Sequence, residues 1–587
     1  MDNLGIARAL EGLADLLELN GEAPFPVRAF RNASRAIEGS SENIAELSKS
    51  GALEKGKIKG IGGGVARRIK ELLETGKIAE ADELRAKLPP GLLDLMNIPG
   101  MGLKTAQQVW KERGITTIDA LEAAATAGQL RDLPRFGQKK EEKLIAAIAA
   151  WKKRASMPKR RLMAEALTQA EALVERMKKI EGVLQCEPAG SLRRRSETIG
   201  DLDILVAADA KHAHAIHEAF HTAPDVVEVL AKGDSKSSVV LDGGMQADLR
   251  VVPPESWGAA LQYFTGSKDH NVAMRTIAVK KHLKVSEYGV FDAEGKKIAG
   301  ETEASVYEAI GLRYMAPELR ENRGEIEASV TGKLPALVDL TDLRGDLHMH
   351  TTETDGKSTL EQMAEAARAS GKTYVAITDH SEVLTFVRGM TKERLRAQRT
   401  HLRTVEDALA KAGTPIRLFA GVEADILGDG SLDLDDTLGE LEWVVGSVHS
   451  HLQMPREEMT KRVVRAIESG KIDCLGHATG RQLGVREGAK LDMEQVLAAA
   501  KRAGVAVELN SSPLRLDVDE HTCKMAREMG VPVVINSDAH SIRELAYLRY
   551  GIGIARRAWL TKSDVLNTRS AEELQEWRRT RARSRAS

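Results

Sequence analysis

The chain has 587 residues, of which 42% are hydrophobic, 29% charged and 4% aromatic, with a formal net charge of −1; this is globular material for about four domains. No apolar run approaches the ~18–20 residues of a membrane span, and the acidic start MDNLGIARALEGLADLLELN is unlike a signal peptide. Three cysteines far apart, Cys186, Cys474 and Cys523, make neither a disulfide framework nor a cysteine zinc site, so a reduced, cytoplasmic protein that does not meet a membrane is expected.

Charge is distributed unevenly. Residues 1–160 hold 27 Lys+Arg against 21 Asp+Glu, a lean toward a polyanion such as nucleic acid. Residues 1–90 carry apolar segments at helical period (Ile6 to Leu19, Pro26 to Ile37, Ile44 to Leu53, Val65 to Leu73) and read as a small helical domain. A second helical domain is expected over 91–155. Hydrophobic-x-Gly-hydrophobic-Gly hairpins stand at Ile58–Gly62 and Ile98–Gly102, with a weaker copy at Leu133–Gly137, each before a predicted helix. An ordinary glycine turn between helices also fits one such copy; repetition in a basic region favours phosphate binding, because glycines admit close backbone approach and a helix start presents N–H groups to an anion. The segments resemble helix-hairpin-helix motifs, which hold the DNA backbone without reading bases. That resemblance implies DNA contact at Gly60, Gly62, Gly64, Gly100, Gly102 and Lys104. The basic run 150–162, with Pro158, reads as a linker.

From 156 the pattern becomes mixed α/β. Leu202 to Ala207 and Ser238 to Val252 are β-branched runs, and Asp242-Gly243-Gly244 supplies a hairpin turn. On an extended strand Asp201 and Asp203 share a face, and Asp248 can return beside them on a neighbouring strand. Paired carboxylates repel unless a cation lies between them, and three of them suit two divalent ions for in-line phosphoryl transfer. A Gly-Ser turn followed by arginines offers a triphosphate cradle of N–H, hydroxyl and guanidinium groups. Gly190-Ser191-x-x-Arg194, then Gly200-Asp201-x-Asp203, then Tyr263-Phe264-Thr265-Gly266-Ser267 with Asn271 and Arg275, together resemble the family X DNA polymerases over about residues 1–319. The resemblance implies that Asp201, Asp203 and Asp248 are the catalytic, metal-binding triad, with Mg²⁺ or Mn²⁺. It implies a nucleotide site of Gly190, Ser191, Arg194, Gly200, Gly266 and Ser267, with Tyr263 and Phe264 lining the sugar, Asn271 the base edge and Arg275 the templating region. It also implies a palm over 156–250 and a thumb-like domain over 251–319. The lysine that forms a Schiff base in DNA polymerase beta aligns with Arg68, which is permanently protonated and forms no imine; Lys70 lies nearby. Lys268 stands where better-known animal members carry an acid.

Glu321 to Leu340 reads as a connector (320–341), and a last domain as 342–587. There seven strand-like runs, near 344–349, 374–378, 418–422, 443–448, 472–476, 505–509 and 532–536, alternate with helical patterns, which implies a parallel, nearly closed barrel. This third of the chain holds nine of the fifteen histidines. His348, His350, Asp355, His380, Glu423, His449, His477, Asp538 and His540 all fall just past strand C-termini, where such barrels collect active-site groups, and imidazole with carboxylate suits zinc, manganese or iron. The pattern resembles the PHP phosphoesterase domain, with all nine ligand positions filled. By that resemblance one metal lies among His348, His350, Glu423 and Asp538, a second shares Glu423 with His449 and His477, and a third is held by Asp355, His380 and His540, as up to three Zn²⁺ and/or Mn²⁺ ions. His401 and His521 read as helix-surface residues, His451 as a pocket neighbour, Asp346 as an orienting or turn residue, and His212, His214, His217 and His221 as a solvated helix. The tail Trp577–Arg585 reads as frayed.

The fold expected is therefore multidomain α+β and α/β: helix-hairpin-helix domains, a DNA polymerase beta-like palm and thumb, and a distorted (β/α)7 PHP barrel. The activity expected is a gap-filling DNA polymerase of base excision or end repair, fused to a metal-dependent 3′–5′ exonuclease, with 3′-phosphatase and abasic-site cleavage as further family activities. Its partners would be gapped or primer-template DNA and dNTPs, and the chain a monomer in a bacterial cytoplasm. The rival readings are a phosphoesterase with a silent polymerase half and a non-catalytic DNA-end scaffold.

Overall fold

The computed structural model describes residues 3–38, 44–56, 58, 60–89, 91–96, 98, 100–134, 136–155, 160–233 and 236–586. Lys59, Pro99 and Arg135 of the three hairpins lie outside the described residues, as do 156–159 of the basic run. The chain divides into two compact units, Met1–Lys159 and Arg160–Ser587. Among the described residues no helix is long and apolar enough to cross a membrane, and all three cysteines are free and buried.

The first unit is helical, as its period predicts. Ile6, Leu10, Leu13 and Leu17 recur at three- and four-residue spacing on helix Asn3–Leu19 and are buried, forming one face. The two helical domains expected here share a single apolar core that runs from Ile6 to Ile148, and Gln107 closes the seam by donating to the Glu18 and Leu19 carbonyls at 3.1 Å. Gly60 (φ +99°) and Gly100 (φ +86°) occupy left-handed turns that favour glycine. Helices Gly63–Thr75 and Leu103–Arg113 follow, capped by Gly62 and Gly102 with no side-chain acceptor.

The second unit opens with a five-stranded sheet in the order Val183–Pro188, Asp201–Ala208, Gln246–Val252, Lys236–Leu241, Val226–Lys232. The Asp242-Gly243-Gly244 turn joins its antiparallel pair as expected. Helices Trp257–Thr265 and Lys268–Lys280 and a small three-stranded sheet follow. Then come seven parallel strands in sequential order: Gly345–Asp346, Tyr374–Ile377, Arg417–Asp425, Trp443–Ser447, Cys474–Leu475, Ala506–Asn510 and Val533–Asn536. Their nearly unbroken burial is that of a sheet covered on both faces. The ring is nearly closed, since the His350 amide donates to the Ala539 carbonyl at 2.9 Å and Asn536 Oδ1 accepts from the Leu347 amide at 3.0 Å. One buried apolar cluster extends from Leu202 and Leu249 of the first sheet to Val507 and Ile535 of the barrel.

Three expectations are corrected by long-range contacts that no local pattern shows. The connector 320–341 is built into the structure: Arg320 is fully buried and donates to Glu303 and the Met315 carbonyl, helix Glu325–Thr331 crosses it, and the Val338 amide bonds to Leu560. On helix Ala210–His221, His217 and His221 are buried rather than solvated, with His217 Nδ1 2.7 Å from Ser237 Oγ. The tail is not frayed through Arg581: it forms helix Ala571–Ala586, with Trp577 near Trp443, while the side chains of Arg583 and Arg585 lie outside the described ones.

Asp473, fully buried, receives Arg578 Nε at 2.9 Å, Arg581, and the Val444 amide at 2.9 Å. Removing one partner of a buried ionic contact leaves the other charges uncompensated, which costs about 3–5 kcal/mol. Asp473→Ala is expected to lower the unfolding temperature of the barrel by several degrees in a thermal melt, with Asp473→Asn in between; an unchanged melt would show that this helix is not anchored through Asp473.

Candidate functional site

The first centre is set by strand register. Asp201–Ala208 and Gln246–Val252 run parallel with Asp203 directly opposite Asp248 and Asp201 opposite Gln246, so the three aspartates meet at the ends of adjacent strands. Burial, and then the charges of Asp201 and Asp248, push the Asp203 carboxyl up to about 7. Burial acts on Asp248 as well, but hydrogen bonds from Lys236, Ser238 and Gln246 outweigh it and hold that carboxyl below its usual range. Lys236 Nζ lies 2.6 Å and Gln246 Nε2 3.0 Å from the Asp248 oxygens. The three aspartates do not bring one oxygen each within 4.8 Å of the others, as expected of like charges without a cation among them.

The Gly190 turn lies against this centre. Gly190 has φ +60°, and a side chain there would strike the Asp203 carboxylate, so glycine meets both demands at once. Arg194 Nη1 donates to the Thr265 carbonyl at 2.6 Å and its Nε to Glu321 at 3.0 Å. Arg193 reaches Thr265 Oγ1 and Glu303 at 2.6–2.8 Å. The two segments predicted to form one nucleotide site therefore touch. Ser191 is half-buried beside them, Ser267 caps helix Lys268–Lys280, and Gly266 (φ +67°) faces Arg194. Asn271 is tied to the Tyr263 carbonyl at 2.7 Å and to Gln262 at 2.8 Å; Arg275 stands exposed one turn on. Tyr263 and Phe264 meet edge to face at 5.2 Å, with the Arg250 guanidinium 4.3 Å from the Phe264 ring centre. Gly200 lies at the strand start near Arg160 rather than among these contacts.

The second centre is the barrel mouth. Around Glu423, fully enclosed, stand His477 Nε2 at 2.9 Å, His449 Nε2 at 3.3 Å, His348 Nε2 at 3.4 Å, His350 Nε2 at 3.8 Å and His380 Nδ1 at 2.7 Å. Asp538 approaches His350 at 3.2 Å and His348 at 3.6 Å, while Asp355 approaches His380 at 3.3 Å and His540 at 3.4 Å. All nine residues read from the sequence converge here, and seven of them, all but His477 and Asp538, fall into three overlapping groups with ligand atoms within 4.8 Å of one another. His348 Nε2, both nitrogens of His350 and both oxygens of Glu423 are buried without a hydrogen-bond partner. Orphaned donors of this kind, all imidazole or carboxylate, fit divalent metal ions.

The electrostatics support that fit. Burial lowers an imidazole pKa, yet Glu423 and Asp355 push His380 up to about 10, and neighbouring carboxylates push His449 and His540 up to about 9. His350, buried and beside His540 and His380, falls to about 4. The carboxylates thus make the cavity one that favours positive charge, as a divalent cation would supply.

Several residues that hold this centre were not singled out from the sequence. Glu508 accepts from His348 Nδ1 at 2.7 Å, Asp425 from His449 Nδ1 at 2.9 Å, and Asn510 donates to Asp538 at 2.9 Å; partners of this kind fix the ring tautomer and orientation. Asp379 receives the Thr351 amide and the Thr351, Thr354 and Gln398 side chains, which pins the loop bearing Asp355. Glu508 and Asn510 do lie on a strand that leads to the mouth, the one signal that could have marked them. Asp346 accepts from the Ser537 amide and hydroxyl, which ties the first strand to the end of the last, and His451 is exposed. His401 and His521 are exposed on helices as expected.

In the helical unit, a Cβ on Gly62, Gly64, Gly100 or Gly102 would meet nothing within 4 Å, which leaves room for an external backbone, and Lys104 is exposed beside them. Arg68 is occupied by Glu80 at 2.7 Å and Glu71 at 3.5 Å.

Comparison with known families matches residues 1–78 to a helix-hairpin-helix domain, 92–150 to a SAM-like helix-hairpin-helix tandem, 260–321 to the DNA polymerase beta thumb, and 346–512 to the PHP domain. The chain is 37% identical over 579 residues to the DNA polymerase/3′-5′ exonuclease PolX of Bacillus subtilis (strain 168), covering 98% of this chain and 99% of that one. It is 26% identical to DNA polymerase lambda of Rattus norvegicus over 54% of this chain and 56% of that protein. A probable phosphatase of Vibrio cholerae is 29% identical over 33% of this chain and 77% of its own.

Glu423 belongs to two of the three donor groups. Glu423→Gln is therefore expected to lose at least about half of the tightly held metal by elemental analysis; retention of the wild-type content would remove Glu423 from the ligand set. Chelation of the wild type is expected to lower its unfolding temperature, and Mn²⁺ or Zn²⁺ to restore it, since saturation to a thousand times Kd contributes about 4 kcal/mol.

Proposed function

Since the chain belongs to the bacterial family X DNA polymerases that carry a PHP domain, and is a DNA polymerase and 3′–5′ exonuclease by that kinship, we propose that each activity is assigned to one of its two carboxylate centres. Polymerisation belongs to Asp201, Asp203 and Asp248, and 3′-end hydrolysis to the nine residues around Glu423. The observation that carries this reading is that Asp203 faces Asp248 across a parallel pair, while six imidazoles gather around Glu423, Asp538 and Asp355 at the barrel mouth.

Divalent cations bound at these donors, Mg²⁺ or Mn²⁺ at the triad and Zn²⁺ and/or Mn²⁺ at the barrel, supply Lewis acidity and charge neutralisation to phosphoryl transfer. The chain's own residues do the rest. Asp203, whose carboxyl burial and the charges of Asp201 and Asp248 push up to about 7, is matched in proton affinity to accept the proton of a primer 3′-hydroxyl. Ser191 and Arg194 offer hydroxyl and guanidinium donors to the triphosphate, Tyr263 and Phe264 a wall for the sugar, Asn271 a fixed amide for the base edge, and exposed Arg275 a charge toward the template. Gly60, Gly62, Gly64, Gly100, Gly102 and Lys104 serve the DNA backbone through open helix starts. In the barrel, Glu508 and Asp425 hold His348 and His449 in one tautomer.

We place the enzyme in the bacterial cytoplasm as a monomer acting on gapped or primer-template DNA in base excision or end repair, with 3′-phosphatase and abasic-site cleavage as further activities of the barrel. The domain limits proposed are 1–90, 91–155, 156–250, 251–319 and 342–587, with 320–341 as a packed crossover.

On a gapped, 5′-phosphorylated duplex, Asp201→Ala with Asp203→Ala is expected to reduce nucleotide incorporation by about 10³-fold or more and spare 3′-end trimming, and His348→Ala to do the reverse. Loss of both activities in either variant would refute the division, and wild-type chain that trims without incorporating would favour a silent polymerase half. Because a carboxyl with a pKa of about 7 must lose its proton to bind metal, the Mn²⁺ concentration for half-maximal incorporation is expected to rise as pH falls below 7, by up to about tenfold per unit. It should be flat above pH 8; a profile flat down to pH 6 would overturn the role given to Asp203. With incised abasic DNA, borohydride is expected to trap no adduct at Arg68, and Lys70→Ala is expected to remove any adduct formed; peptide mapping reads both.

A further inference from the structure

The triphosphate cradle is held from behind by the barrel. Helix Leu548–Arg557, which follows the last barrel strand, lies against Gly190–Ser196: a Cβ on Gly553 would sit 3.0 Å from the Arg195 Cβ, a tight approach that favours glycine. At the end of this helix stands Arg557, with its side chain 6% exposed. Its Nη1 donates to the Arg194 carbonyl at 2.7 Å and to Glu321 Oε1 at 2.7 Å. The same Glu321 oxygen accepts from Arg194 Nε at 3.0 Å. On its far side Arg557 is locked by Glu520, through Nε and through Nη2 at 3.2 Å, and Glu520 is held in turn by Arg323 at 2.6 Å.

The result is an alternating row, Arg194, Glu321, Arg557, Glu520, Arg323, that ties the nucleotide cradle and the 320–341 crossover to the barrel. One oxygen of Glu321 is divided between two guanidinium groups. Arg557 thus does two things to Arg194: it fixes its backbone through the carbonyl, and it draws off part of the carboxylate that would otherwise hold its guanidinium. Without Arg557, Glu321 would pair with Arg194 alone at low local dielectric, where ion pairs are strong, and one positive charge would leave the neighbourhood of the cradle.

We propose that Arg557, a residue of the exonuclease half, is a positioning residue for the polymerase reaction, keeping Arg194 aligned and available to the triphosphate of the incoming dNTP. This rests on the reading of Arg194 as a triphosphate contact. Nucleotide binding by the polymerase half then depends on the docked barrel, although the barrel's own donors lie elsewhere.

The test is single-nucleotide insertion by the full chain on gapped DNA, with 3′-end trimming of single-stranded DNA and a thermal melt measured in parallel. Arg557→Ala is expected to raise KM for dNTP about tenfold while kcat changes less than about threefold and trimming is unchanged. Arg557→Lys, whose single ammonium lacks the fork that serves both a carbonyl and a carboxylate, is expected to restore KM in part, and it carries the test if Arg557→Ala does not fold. Arg194→Ala combined with Arg557→Ala is expected to be no worse than Arg194→Ala alone, the mark of one pathway. If Arg194→Ala raises KM and both Arg557 variants keep the wild-type KM, the proposal is overturned alone. If Arg194→Ala leaves KM untouched, the reading of Arg194 falls and takes the proposal with it. Parallel loss of kcat and trimming without a change in KM would mark Arg557 as structural only.

Discussion

Negative charge gathered where a fold would ordinarily avoid it is the constraint around which this protein is organised. Parallel strand pairing puts Asp203 against Asp248, and the barrel's ring puts Asp355, Glu423 and Asp538 around one cavity. Such groups are tolerated only if positive charge comes with them. In the palm the compensation visible within the chain is Lys236 on Asp248, and it leaves Asp203 with a raised pKa. In the barrel it is a shell of imidazoles packed around Glu423, Asp355 and Asp538. Both solutions leave electrostatic demand unsatisfied, and this is what makes the centres suited to cations and to the phosphates that follow them.

Neither centre stands on its first ring of donors alone. Glu508, Asp425 and Asn510 fix how the barrel donors point, and Asp538 is held at φ +53°, a conformation disfavoured for a residue with a side chain. In the palm, Glu303 and Glu321 hold the two arginines of the cradle. The same kind of contact, arginine to a partly or fully buried glutamate, also joins the segments before the barrel to the barrel: Arg481 to Glu197 at 2.5 Å, Arg556 to Glu318 at 2.7 Å, Arg557 to Glu321 at 2.7 Å. Pairs like these contribute little net stability once desolvation is counted, but they are costly to break singly and they fix orientation. A seam built of them fixes the two sheets against each other.

Much of the architecture was legible because it is local. Seven short apolar runs separated by helical patterns could bury both faces only as a parallel, helix-covered ring, and all seven form strands in sequential order. Ligand types placed just past those strands had one place to converge. The hairpin glycines announced themselves by repetition. What escaped notice was of a different kind. Arg320 and Glu325 looked like charges in a connector and are buried, the tail's arginines looked frayed and bind Asp473, and His217 looked solvated and meets Ser237. Charge in a sequence signals solvent unless a partner is known, and these partners lie 17 to 108 residues away.

The sequence by itself determined the element types, the barrel, the donor chemistry of both centres and the kinship of the chain, because periodicity and motif spacing are properties of neighbouring residues. Only the tertiary structure decided which carboxylates orient which imidazoles, that the connector is a packed crossover, and that Arg557 meets Arg194 across 363 positions of chain. Those choices depend on which surfaces approach in space, and the energy that selects them comes from desolvated ion pairs and shared cores that exist only once the chain has folded.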